Sequence, residues 1–480
     1  MALKNHTISV INFTNQDTVT YSIIKLIGNI QNATSALCQN NDNNVHLIIN
    51  NVKVTTNLVN NKFKFLVELH RGQNRLIINY CCEEKEIVLV YSSPKGYHSV
   101  IPLYVICDGH DGNFQAPAWM KNTAESACKR ISLCSKLLQC VTAEKLNEHG
   151  LGRKTFSLES DCQIFQSRLN YLEVRTMSQA ELWENIGREI MKSPIGSDNK
   201  KYLAFLSCTR YLGDKYDASM KTHEDLLNIT EGYVALGGGG LALFGSACLY
   251  TWPETFEDII DRFEDEAPVD RTQFLDDSCY RSTLGACFST TLGSVLHELF
   301  HTFDLGHTED GIMGRGFDNI YKVFTKSDLA TDNVLEAKKI LRNKIEFKEE
   351  LEPGSSLAKD NIRKEFTVIE KFEEVDDTLL TRSCAVILCY HKWFNCLPVE
   401  QSSVLSFDSS NKLIKSTAGV RVVEIRRIGS EMVLHNWVFD GRIMKFSFQL
   451  SEDVIKKCNG VFIIFVEDTM GFILKETINL

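Results

Sequence analysis

Proline is scarce in this chain, 8 of 480 residues, and glycine is modest at 28. Those numbers exclude a collagen-like polymer and argue against disorder. Positive charge is short as well: Lys+Arg 52 against Asp+Glu 62 leaves a formal net charge of −10. No basic footprint for nucleic acid or an anionic membrane is therefore expected. No apolar run reaches the roughly 18 residues that span a bilayer. The start, Met1-Ala2-Leu3-Lys4-Asn5-His6-Thr7, is polar and no apolar export stretch follows it. The expectation is a cytoplasmic protein with neither nucleic-acid nor membrane partners.

The 16 cysteines form no CxxC and spread from Cys38 to Cys458. Disulfide scaffolds are short, secreted and dense, so reduced, buried thiols are expected here. The N-x-[ST] matches at Asn5, Asn12, Asn32 and Asn228 then read as chance, because glycosylation needs export.

What is present is ordinary globular material: 44% hydrophobic, 10% aromatic and 24% charged residues. The length exceeds one core of about 100–200 residues, so two or three domains are expected. Residues 1–95 alternate with period two, as in Thr7-Ile8-Ser9-Val10 and Lys62-Phe63-Lys64-Phe65-Leu66-Val67, with Asn and Gly between runs. That pattern suggests an antiparallel, immunoglobulin-like β domain, with Ser92-Ser93-Pro94-Lys95-Gly96 as linker. From about 99 buried strands (100–107, 201–208) alternate with helices (124–141, 178–191). Four consecutive glycines, Gly237 to Gly240, imply a bulge or a close backbone approach. The acidic segment 256–277 reads as a surface loop and 327–350 as a charged helix. The pattern returns to β from about 366, including Cys384 to Tyr390, 420–425, 445–448 and 461–466.

One segment carries chemistry: His297-Glu298-Leu299-Phe300-His301-Thr302-Phe303-Asp304-Leu305-Gly306-His307. Two histidines four apart on a helix stack one turn above each other and can share a metal ion. The glutamate after the first can take a proton from water beside that metal. A chance HExxH in such a chain has odds on the order of one in fifty, and a further His at +10 lowers them to roughly one in two thousand. Phe288, Leu292, Val295, Leu296, Leu299 and Phe303 form an apolar stripe, and both histidines fall on the opposite side of the helix.

This segment, followed by Gly311-Ile312-Met313-Gly314, resembles the metzincin zinc peptidases. More closely, the chain is similar to the "putative zinc metallopeptidase" family of fungi and animals. Gly109 to Pro117, Glu148 to Phe156, Gly237 to Pro253, His297 to Asp318 and His391 to Asn395 support that likeness. It covers about residues 99–400. The resemblance implies an α/β (α+β) metzincin-like domain over 99–400, between the N-terminal β domain and a β-rich unit at 401–480. It implies His297, His301 and His307 as ligands of one catalytic Zn2+, Glu298 as general base, and Met313 as the methionine-turn residue beneath the metal. A polypeptide is the implied substrate. Metzincins usually carry glycine where Asp304 stands, a turn that favours positive φ, which Asp tolerates. A carboxylate there is a candidate modulator of the metal.

Other candidates remain open. Gly239, Gly240, Leu241 and Ala242 could form the strand that pairs with an extended substrate, or a structural bulge. Asp108 to Gly112 could hold a second cation or simply turn the chain. Glu336 could be a third ligand of another zincin type, and Cys81 or Cys82 an inhibitory thiolate. The alternative to a peptidase is a zinc-binding pseudoenzyme or scaffold, inactive because of Asp304, whose β domains bind partners.

Overall fold

The computed structural model describes residues 6–31, 43–93, 96–326, 378–395, 403–441, 444–458 and 460–479. The chain forms a mixed α/β structure of several sheets and few helices. The charged segment 327–350, with Glu336, lies outside the described residues.

The alternating N-terminal runs become two sheets. Thr7–Val10, Ile23–Gln31 and Lys62–Glu68 pair antiparallel. Thr18–Val19, Glu83–Tyr91, Gly72–Tyr80, Asn44–Ile49 and Val52–Asn57 form the other, in that spatial order. In Asn44–Ile49 the alternation is strict: Val45, Leu47 and Ile49 are buried and their neighbours are half-buried, as a strand with one face on a core requires. Side chains from both sheets enter one apolar cluster.

A second five-stranded sheet occupies the middle of the chain. Its order is Gln163–Asn170, Ser99–Asp108, Lys200–Leu206, Leu241–Gly245, Ala235–Gly238, the first four parallel and the last antiparallel. Parallel strands need cover on both faces, and nine of the ten residues in Ser99–Asp108 are buried. Val100, Tyr104, Ile106, Phe205 and Phe244 face helices Ala124–Glu148 and Leu284–Thr302. The alternate residues Ile101, Leu103, Val105, Tyr202 and Leu243 pack on Leu182, Ile186 and Ile190 of helix Gln179–Lys192. That helix starts with a capping box, Ser178 with Glu181, which satisfies two orphan N–H groups.

Cys384 to Tyr390, read as a strand, is a helix, Arg382–Tyr390, capped by Thr381. Ala385, Val386, Ile387 and Leu388 are fully buried, so it is apolar all round and has no helical period to betray it. The acidic stretch 256–277 is not simply a surface loop: it contains helix Ile259–Phe263, with Ile259 and Phe263 buried. After the Arg382–Tyr390 helix comes an antiparallel sheet built on the long strand Leu413–Arg427. Leu405–Asp408, Val433–Val438, Lys445–Gln449 and Val461–Asp468 all pair with it, and Ile473–Asn479 pairs with Val461–Asp468.

Thirteen described cysteines are free, most of them buried. Cys81 departs from the reduced-thiol expectation, being disulfide-bonded. No described helix is long and apolar enough to cross a membrane.

Candidate metal centre

Helix Leu284–Thr302 is capped by Thr283, whose side chain accepts from Ala286 N–H. It packs against the sheet edge on one side and the turns at 311–319 on the other, so its apolar stripe is only part of a nearly all-round burial. Leu292, Leu296, Leu299 and Phe300 are fully buried and His297 is itself buried. His297 is thus enclosed, while His301 and His307 are half-buried. Past Phe303 the chain turns at Asp304, which has φ +63°. That left-handed turn, unusual for a side chain with a Cβ, ends the helix and carries the backbone to His307.

His301 Nε2 lies 3.1 Å from His297 Nε2 and 3.2 Å from His307 Nε2. These are the ligand atoms of one close group of metal-binding type among the described residues. Each Nδ1 faces a backbone carbonyl: His297 to Ile312 O at 2.7 Å, His301 to Leu305 O at 2.8 Å, His307 to Ser430 O at 2.6 Å. A carbonyl only accepts, so each Nδ1 must be the donor and each Nε2 the acceptor nitrogen of a neutral ring. Three lone pairs pointed at one another repel, and a cation among them reverses the sign. Ligands about 2.0–2.1 Å from a tetrahedral zinc stand roughly 3.3 Å apart, close to the observed separations. Burial, helped by neighbouring His307, pushes the His301 pKa down to about 4, which keeps this ring in the neutral form a metal needs. The donor set fits zinc, with each second nitrogen held by a carbonyl.

Glu298 Oε2 accepts from Gly237 N–H at 2.7 Å. A Cβ on Gly237 would stand 1.9 Å from the Glu298 carbonyl oxygen, so only glycine lets the Ala235–Gly238 strand come this close to the helix. This strand is the edge of the sheet. Leu241 and Ala242, proposed above as substrate-pairing residues, are interior: each pairs with Lys200–Leu206 on one side and the edge strand on the other. Gly239 and Gly240 form the turn between the two strands. The outermost strand is Ala235–Gly238, whose Ala235 and Gly237 N–H groups donate to Gln179 Oε1 and Glu298 Oε2. Met313 is buried in the turn whose Ile312 carbonyl holds His297.

Asp304 does not join the histidine group. Its carboxylate meets His391 Nε2 at 3.3 Å. Burial pushes His391 below the usual imidazole value, so the ring donates to Asp304 in the neutral form. Burial alone would raise the Asp304 pKa; the His391 bond and the Lys201 charge hold it below the ordinary carboxylate value. Lys201, buried beneath Trp393 with its Nζ 4.2 Å from the ring centroid, is pushed down to about 8.

The remaining candidates stay apart from this centre. Asp111 spends its carboxylate on Asn113 N and Nδ2, and His110 Nδ1 meets Ser207 Oγ and Gly112 N, which is turn chemistry. Cys81 and Cys82 group with His6, not with the histidines. Sequence reasoning gave a close backbone approach somewhere in Gly237 to Gly240 without singling out Gly237, and it missed the 430–433 segment, which carries no motif at all.

Comparison with known proteins agrees with the chemistry. A model of the family described as "Putative peptidase family" matches residues 7–352. A Saccharomyces cerevisiae protein named "putative zinc metalloproteinase" is 25% identical over 303 residues, covering 56% of this chain and 43% of that protein. A Schizosaccharomyces pombe protein of the same description is 26% identical over 246 residues, covering 46% and 38%. This chain therefore matches only about two fifths of the length of those relatives. The crystal structure of OgpA from Akkermansia muciniphila aligns over 80% of this chain and 93% of that one, at 12% identity and TM-score 0.41, a likeness too weak to bear on fold or chemistry. A family match across residues 7–352, ending beyond the three histidines, makes this chain a member of that peptidase family.

Proposed function

We propose that the chain is a zinc-dependent peptidase. The observation that carries the reading is the convergence of three Nε2 atoms, each ring oriented by a carbonyl, beside a glutamate on the same helix. His297, His301 and His307 would hold the ion. When bound, zinc supplies Lewis-acid polarisation of a peptide carbonyl and acidification of water. An extended substrate lies along the Ala235–Gly238 edge strand and donates to its outward carbonyls, because the Ala235 and Gly237 N–H groups are held by Gln179 and Glu298. Glu298, oriented by its bond from Gly237 N–H, receives the proton of the attacking water on its carboxylate. It then delivers that proton to the leaving amine nitrogen. Met313 packs in the turn that supports His297.

The same reading divides the chain into an N-terminal β-sandwich unit (1–95), a metzincin-like catalytic unit (99–400) and a C-terminal β unit (401–480). The separate sheets of the three units support it, and one apolar cluster running from Ile8 through Leu299 and Val386 to Phe465 joins them. The scaffold reading rested on Asp304 disturbing the metal. Its carboxylate meets His391 Nε2 at 3.3 Å instead, which supports the peptidase reading over that alternative.

The test is a peptide-library digestion by the purified, zinc-loaded chain beside Glu298→Ala. Cleavage by the first and silence from the second, at equal zinc content, is the expected result. Undiminished cleavage by Glu298→Ala excludes the mechanism.

A further inference from the structure

The C-terminal sheet begins beyond the family-matched residues, which end at 352, yet it reaches the metal centre. We propose that the turn joining Leu413–Arg427 to Val433–Val438 is a working part of that centre. In it Glu431 is a positioning residue that holds His307 in ligating geometry. The inference rests on the reading of His307 as a ligand.

His307 belongs to no helix and to no strand of its own. Its N–H donates to Glu431 O at 3.2 Å and its C=O accepts from Val433 N–H at 2.9 Å. Its ring donates to Ser430 O at 2.6 Å. Backbone and ring are thus both set by one short segment, with which His307 forms a parallel bridge at Met432. Gly306 tightens the contact: a Cβ there would stand 2.6 Å from Glu431 O and 3.0 Å from Arg426 Nε.

Glu431 occupies a left-handed conformation, φ +51°, where glycine would serve the turn better. A side chain kept at such a position needs another reason. Its Oε1 meets Lys475 Nζ at 2.6 Å and its Oε2 meets Arg426 Nη1 at 3.2 Å. Lys475 comes from the Ile473–Asn479 strand. Arg426 is fully buried, pairs with equally buried Glu424 at 2.7 Å and lies 4.0 Å over the Phe465 ring. The carboxylate therefore ties the turn to the interior and to a neighbouring strand. Outer partners that orient a metal-binding histidine typically change metal affinity 10–100-fold when removed.

Glu431→Gly separates turn geometry from positioning, since it suits the left-handed backbone while removing both ties. Zinc affinity of the full chain is measured by competition with a chromophoric chelator, and fold by circular dichroism of the metal-free protein. The expected result is a folded variant that binds zinc about 10–100-fold more weakly, with Glu431→Gln recovering part of the loss. Cobalt(II) substitution should show a shifted visible spectrum in the glycine variant, reporting an altered ligand field. A folded Glu431→Gly with zinc affinity and cobalt spectrum like those of the unmodified chain overturns the proposal. Should that variant fail to fold, Lys475→Gln decides, because it removes one tie: weaker zinc binding supports the proposal and unchanged binding overturns it. His307→Ala keeps the two ideas apart. Zinc retained there would defeat the ligand reading itself, whereas zinc lost there but unchanged in Glu431→Gly defeats only the role of the turn.

Discussion

The two halves of the histidine cluster are built differently. His297 and His301 come from one helix, and their orienting carbonyls, Ile312 and Leu305, lie 15 and 4 residues away. His307 takes its orienting carbonyl from Ser430, 123 residues away. The first half is local: helical pitch alone stacks residues four apart, whatever the rest of the chain does. The second half depends on a distant sheet being folded and docked. Two thirds of a site can thus be inherited from secondary structure while its last third waits on tertiary assembly.

The largest effect should come from the histidines. His297→Ala and His307→Ala should each abolish stoichiometric zinc binding, read by elemental analysis. Full zinc in His307→Ala would break the comparison by showing that the distant half is not a ligand.

Glu298→Ala comes next. It should leave zinc content and melting temperature near those of the unmodified chain while lowering kcat about 10²–10⁴-fold. A parallel loss of zinc would mean that the helix cannot be separated into binding and proton-transfer roles.

Gly237→Ala probes where the edge strand meets the local half. The added Cβ has backbone 1.9 Å away, so strand or helix must move, at a cost of about 1–3 kcal/mol. A lowered melting temperature and reduced kcat are expected; an unchanged melt would show that the strand can retreat freely.

Asp304→Gly should have the smallest effect. Glycine relieves a left-handed conformation costing roughly 1 kcal/mol, and loss of the His391 hydrogen bond costs about 1 kcal/mol. Stability within about 1 kcal/mol of the original and unaltered zinc content are expected, checked by denaturant titration and elemental analysis. Loss of zinc would return Asp304 to the list of ligands and blur the boundary between the two halves.

Much of this was legible from residues alone. The alternation in Asn44–Ile49, the buried run of Ser99–Asp108 and the stripe of Leu284–Thr302 each announce their element. The helix Arg382–Tyr390 was not legible, because a segment buried on every side shows neither period. Leu241 and Ala242 were expected to pair with a substrate because a glycine run marks a break in a strand without saying which side of it lies outermost. Register with Lys200–Leu206 settles that.

The sequence by itself determined the histidine helix: His297, Glu298 and His301 are related by the pitch of one element, and pitch follows from backbone sterics common to all residues. The family resemblance marked Asp304 as a turn residue, standing where glycine is usual, and its φ is +63°. Only the tertiary structure decided that Asp304 faces His391, that Gly237 of the four glycines touches Glu298, and that Ser430 and Glu431 hold His307. Those contacts join backbone groups and side chains far apart in the chain. A backbone carbonyl is the same whatever residue bears it, so no residue type at 430 or 431 could have announced it.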